Sequence, residues 1–149
     1  MADKPLLIMR NYIFTHIILL LLMSVVSCES RHDDNGSLSG NWQMTTWYDS
    51  DSVAERDMLA DGIFYSVSLE LIKIWQPGKS RSYYLATFVR DGDSLFLTKA
   101  YVSPNDSVVS FEDLAQYGVE PDGRFRIVSN DSKTLILSGK TNTLVFRSY

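Results

Sequence analysis

The stretch "FYSVSLELIKIW", residues 64 to 75, decides how the chain folds. Tyr65, Val67, Leu69 and Leu71 fall on one side of an extended backbone and Ser66, Ser68 and Glu70 on the other, which is the two-residue period of a strand and not the period of a helix. Twelve residues exceed the usual strand length, so the run reads either as one strand or, with a bend in "LELIKIW", as two. The first choice gives the chain seven strands and the second gives eight.

Working outward in both directions, the same period recurs between turn signals. Trp42 to Tyr48, Ser82 to Arg90, Ser94 to Val102, Arg124 to Ser129, Thr134 to Ser138 and Thr143 to Ser148 read as strands. Pro77 and Gly78, Asp91 and Gly92, and Asn130 and Asp131 separate them, each pair offering the fixed, positive or left-handed φ that a reversal needs. Strands in such a meander close as a barrel or stack as a sandwich, and periodicity alone does not choose. Two short helices interrupt the pattern. In "DSVAERDMLADG", Ser52 and Glu55 have capping-box spacing, which predicts a helix from Ser52 to Asp61, stopped by Gly62 and placed like a lid. In "SFEDLAQYG", Ser110 is the cap and Gly118 the stop, with Phe111, Leu114 and Tyr117 on one face suited to core packing.

"LSGNWQM" opens the first strand with Gly40 and Trp42, and "TLVFRSY" closes the last with Arg147. A glycine, any residue and a tryptophan at the start, with an arginine near the end, resembles the lipocalin family, and especially the short lipocalin-like lipoproteins of Bacteroidetes. The resemblance spans residues 40–149. It implies an all-β fold: an antiparallel lipocalin-like β-barrel of about eight strands with one or two short helices. It also implies that Trp42 plugs the closed end and that Arg147 lies over it, a contact worth roughly 0.5–2 kcal/mol. The disulfide and long C-terminal helix of larger lipocalins are missing, which argues against a roomy cavity.

The amino-terminal residues carry an address. "YIFTHIILLLLMSVV", residues 12–26, follows Lys4 and Arg10 and is too short to span a bilayer comfortably, which is a signal-peptide layout. Val25, Val26, Ser27 and Cys28 resemble the lipobox of bacterial lipoproteins, in which the chain is cut before a diacylated cysteine. That implies a signal peptide over residues 1–27, lipidation at Cys28 (palmitate among the acyl chains), and a membrane anchor, since two or more chains hold stably. Residues 28–39 read as a polar tether. Its acids Glu29, Asp33 and Asp34 resemble the export signals of surface lipoproteins, and a plain solvated linker is the alternative. The location implied is the bacterial outer membrane, on its periplasmic or its cell-surface face. Asp3 and Pro5 sit oddly in a basic leader, so translation from Met9 is an expectation that sequencing the precursor would test.

The chemistry open to the chain is narrow. From Cys28 onward there are 12 basic and 17 acidic residues, and no cluster dense enough to neutralise a row of phosphates, which argues against nucleic acid. Only one histidine, His32, and one cysteine, Cys28, follow the cleavage point, and the domain beyond Gly40 has neither. Nucleophilic triads and zinc sites of the usual type are thereby excluded, no glycine-rich phosphate loop appears, and no cofactor is implied. Carboxylate chemistry would centre on Glu70, with Lys73 and Arg90 available to pair with it on a solvated face. The expectation is a non-enzyme that binds a small apolar ligand, with Tyr65, Leu69, Tyr83 and Phe96 as candidate contacts, although which strand faces turn inward is open at this level. The alternative is an accessory subunit of an envelope protein complex, its barrel filled and its partner met by the outer surface.

Overall fold

The computed structural model describes residues 35–51, 54–79 and 81–149, so Cys28, Ser52 and the signal segment lie outside the described residues. Ten strands follow in chain order: β1 (Gly40–Asp49), β2 (Glu55–Asp57), β3 (Phe64–Ser68), β4 (Leu71–Trp75), β5 (Tyr83–Asp91), β6 (Ser94–Ser103), β7 (Ser107–Val109), β8 (Arg124–Asn130), β9 (Thr134–Ser138) and β10 (Asn142–Ser148). The opening stretch is therefore two strands, turned at Leu69 and Glu70, and paired from Phe64 with Trp75 to Ser68 with Leu71.

Antiparallel pairing runs β1–β3–β4–β5–β6–β8–β9–β10, and β10 returns to β1 from Asn142 opposite Asp49 to Ser148 opposite Trp42. Eight strands thus close into a barrel, which removes the free edges a sandwich would keep. The other two strands are patches on long neighbours. β1 gives Gly40–Gln43 to β3, and a bulge between Met44 and Thr46 lets Thr46–Tyr48 pair with β2. In the same way β6 gives Ser94–Phe96 to β8 and Ala100–Val102 to β7.

β2 corrects the helix expected from Ser52 to Asp61. Where β3 leaves β1, the backbone of Thr46–Tyr48 needs partners; Glu55–Asp57 supply them, and a strand pairing outweighs the local helix signal. The second helix forms as a 3₁₀ helix, Glu112–Tyr117. Ser110 Oγ accepts the Asp113 amide at 3.2 Å while the Asp113 carboxylate accepts the Ser110 amide at 3.1 Å, a reciprocal cap. Gly118 ends it at φ 90°, and a Cβ there would lie 2.8 Å from Leu144, so glycine is required twice over.

The chain enters at one end of the barrel and closes it. Asn35 to Ser39, five residues read as the end of the tether, belong to this plug. Leu38 is buried, Trp42 Nε1 donates to its carbonyl at 2.8 Å, Ser37 Oγ donates to the Asn130 carbonyl and Arg90 Nη1 to that of Asn35. The opposite end is covered by Leu114 and Val119, with Met58 and Ile63 beside them. Between the two ends Met44, Tyr65, Ile72, Ile74, Leu137 and Phe146 fill the interior.

Candidate functional site

The four residues expected to line a ligand cavity are not brought together. Tyr65 faces inward, 2% exposed, and its hydroxyl donates to the Tyr117 carbonyl at 2.8 Å. Burial pushes its phenol far above the ordinary tyrosine value. Leu69 sits outside, in the β3–β4 turn. Tyr83 is on the outer face, where the Lys73 ammonium lies 4.3 Å from its ring, because Ala86 and Phe88 occupy the inward positions of β5. Phe96 also points out, 5.6 Å from the Arg124 guanidinium, between the inward Leu95 and Leu97.

The stack of Arg147 on Trp42 is likewise replaced. In the β1–β10 register Arg147 lies opposite Gln43, and its Nε and Nη2 both donate to Gln43 Oε1, at 3.0 and 2.7 Å. Trp42 points into the core while Arg147 is exposed, so the barrel wall separates them. Glu70 is exposed in a turn, and among the described residues it joins no ion pair. Lys73 is taken by the rings of Tyr83 and Trp75, and Arg90 by the carbonyls of Gly92 and Asn35.

What the barrel offers instead, among the described residues, is a cleft at each end. At the end opposite the chain entry, a cleft of about 540 Å³ lies between Arg56, Met58, Asp61, Gln76, Lys79 and Tyr117. Its charges are already satisfied: Arg56 pairs with Asp49 at 2.9 Å and covers the Trp47 ring at 4.3 Å, and Lys79 pairs with Asp61 at 3.2 Å. Tyr117 beside it has its phenol raised, first by burial and then by Tyr84. A wall of paired charges suits a polar surface better than an apolar guest. At the entry end a cleft of about 660 Å³ lies beside Leu69, Glu70, Thr87, Val89 and Arg90. Among the described residues no three His, Cys, Asp or Glu side chains gather as metal ligands.

Sequence reasoning passed over Glu120, the one buried carboxylate among the described residues, 1% exposed. Its Oε1 accepts the amides of Thr141 and Asn142 at 2.9 and 3.1 Å and the Thr141 hydroxyl at 3.0 Å. Gly139 makes room, since a Cβ there would fall 2.1 Å from Oε1. The group ties the β9–β10 turn to the segment after the 3₁₀ helix and faces no second acid, so its role is structural. A glutamate next to Pro121 in a loop carries no periodic signal that could have marked it.

A closed eight-stranded meander plugged at both ends and built around its own side chains defines the class: a small antiparallel barrel of the lipocalin architecture. The model of the family described as the lipocalin-like domain matches residues 20–149, and the chain belongs to that family. No curated protein matches the sequence. Among solved structures, a lipocalin-like protein from Bacteroides uniformis is similar at 18% identity and a TM-score of 0.58, over 76% of this chain and 100% of that one. A protein from Burkholderia xenovorans is similar at 11% identity and a TM-score of 0.51, over 74% of this chain and 82% of that one. At these identities the likeness is one of fold.

Proposed function

We propose that this is a lipid-anchored protein of the bacterial outer membrane, non-catalytic, whose barrel acts as an interaction module for an envelope protein partner through its outer surface. The observation that carries this reading is the filled interior: Tyr65, Ile74, Leu137 and Phe146 occupy the space a ligand would need, and Leu114 and Leu38 cover the two ends. The anchor is supported by the apolar run of residues 12–26 followed by "VVSC" at 25–28. The competing reading, an apolar ligand inside the barrel, draws on the binding character of lipocalin-like domains and requires the 3₁₀ cap to lift.

Intact mass spectrometry of protein extracted from membranes tests both parts. A mature chain starting at Cys28 and carrying a diacylglyceryl group, lost in Cys28→Ser, is the expected result. An unmodified chain would remove the anchor. Spraying the folded domain under native conditions should show the bare polypeptide mass, and a co-purified apolar molecule recurring across preparations would restore the ligand reading.

A further inference from the structure

We infer that the barrel end at which the chain enters rests on the lipid bilayer, with Leu69, Leu71 and Val89 in the interface as a second membrane contact beside the lipid anchor. The inference rests on the proposed lipidation of Cys28. Its first support is where apolar side chains are exposed. Leu69, Leu71, Val89 and Val128 are 40, 42, 56 and 52% exposed, and all four belong to the hairpins β3–β4, β5–β6 and β8–β9 that ring this end; Tyr48, Leu59 and Val108 are exposed toward the opposite end, but none of them borders the cleft there. Leu69 and Val89 border the same cleft, and Leu71 lies opposite Thr87 of that cleft.

The second support is covalent. Asn35, the first described residue, sits at this end, its side chain donating to the Leu69 carbonyl and its own carbonyl accepting from Arg90. Six residues, or seven Cα–Cα steps, separate it from Cys28. Seven such steps reach at most about 25 Å, whatever their conformation. A ten-residue strand such as β1 is itself about 33 Å long. So short a leash holds the entry end, and not the opposite one, near the headgroups.

Leu69 adds a third observation. It holds φ 52°, a left-handed conformation that costs a leucine roughly 1–2 kcal/mol and that asparagine or glycine would adopt more easily. A large apolar side chain is kept where the backbone disfavours it and the core does not need it. These hairpins carry Glu70, Asp91, Asp93 and Asp131 against Lys73, Arg90, Lys99, Arg124, Arg126 and Lys133, charges of both signs spread over three hairpins and not a basic cluster. The contact is therefore apolar and indifferent to salt and to lipid charge, unlike a basic patch on anionic lipid.

The test uses the full lipidated chain in phosphatidylcholine vesicles containing nitroxide-labelled lipid. Lipidation blocks Cys28, so Glu70→Cys, which keeps the leucines, and Lys79→Cys, at the opposite end, each offer one thiol for an environment-sensitive dye. The expected result is quenching at position 70 at least twofold stronger than at position 79, unchanged in 0.5 M salt. Leu69→Asn with Leu71→Ser, in the Glu70→Cys chain, should bring the two ends level; asparagine suits the left-handed turn, so folding is retained. Equal quenching in the original pair overturns the inference. So does a dye at position 70 that is shielded from water yet unquenched by lipid, which would mean a contact between copies or with another protein. Failure of the chain to sediment with vesicles would instead defeat the anchor reading, and the docking inference with it.

Discussion

Glu120 shows how a single buried charge is tolerated in this barrel. Taking a carboxylate out of water costs several kcal/mol unless its oxygens are satisfied, and here two amides and a hydroxyl satisfy it. Removing it strands those donors, so Glu120→Ala should destabilise the domain by about 2–4 kcal/mol in urea unfolding. Gly139→Ala should act in the same direction, because its Cβ would meet the carboxylate at 2.1 Å. Asp131 is a milder case at the surface. The amides of Lys133 and Thr134 hold its carboxyl below the usual range, so its contribution is present above the unfolded value of about 3.9 and is lost as pH falls through the lower folded value. In an acid titration followed by NMR, the amide shifts of Lys133 and Thr134 should move together below pH 4, and Asp131→Asn should abolish the movement.

Among the elements, the 3₁₀ helix and β2 show what local signals can and cannot decide. The helix was legible because its cap, its stop and its apolar face agree, and the structure uses all three. Leu114, buried against the barrel, is its anchor. Leu114→Ala should cost about 2–5 kcal/mol and, by opening the end, increase the binding of an apolar dye. If stability falls with no gain in dye binding, the neighbouring side chains have closed the gap. β2 was illegible. The capping spacing of Ser52 and Glu55 is a local preference worth about 1 kcal/mol, and it yields to the edge of β1 left unpaired where β3 departs, its other edge being held by β10. The same reason hid β7, which exists to cover the second half of β6.

For the molecule as a whole, the decisive event is the pairing of the first strand with the last. Closure leaves β1 and β10 without a free edge, so their paired amides should exchange with deuterium as slowly as those of β5 and β6, while β2 and β7 exchange fast. Fast exchange along β10 would mean the ring opens readily. Closure also fixes which side of every strand is inside. Here alternation within a strand was readable, but its sense was not: Tyr65 turned inward while Tyr83 and Phe96 turned outward. Bulges at Thr98 of β6 and at Val128 of β8 shift the parity part-way along those strands, which no two-residue count detects.

The sequence by itself determined the strand runs, the turns between them, the second helix and the all-β class, because alternation and turn chemistry are local properties written within a few residues. It also carried the likeness to lipocalins in Gly40 and Trp42, though not the partner of Arg147. The tertiary structure alone decided that eight strands close into a ring, that its interior is filled, that Asn35 to Ser39 plug one end, and that Leu69 and Val89 are left outside beside the cleft at that same end. Those outcomes depend on register between strands distant in the chain, where a shift of one residue exchanges every inward side chain for an outward one.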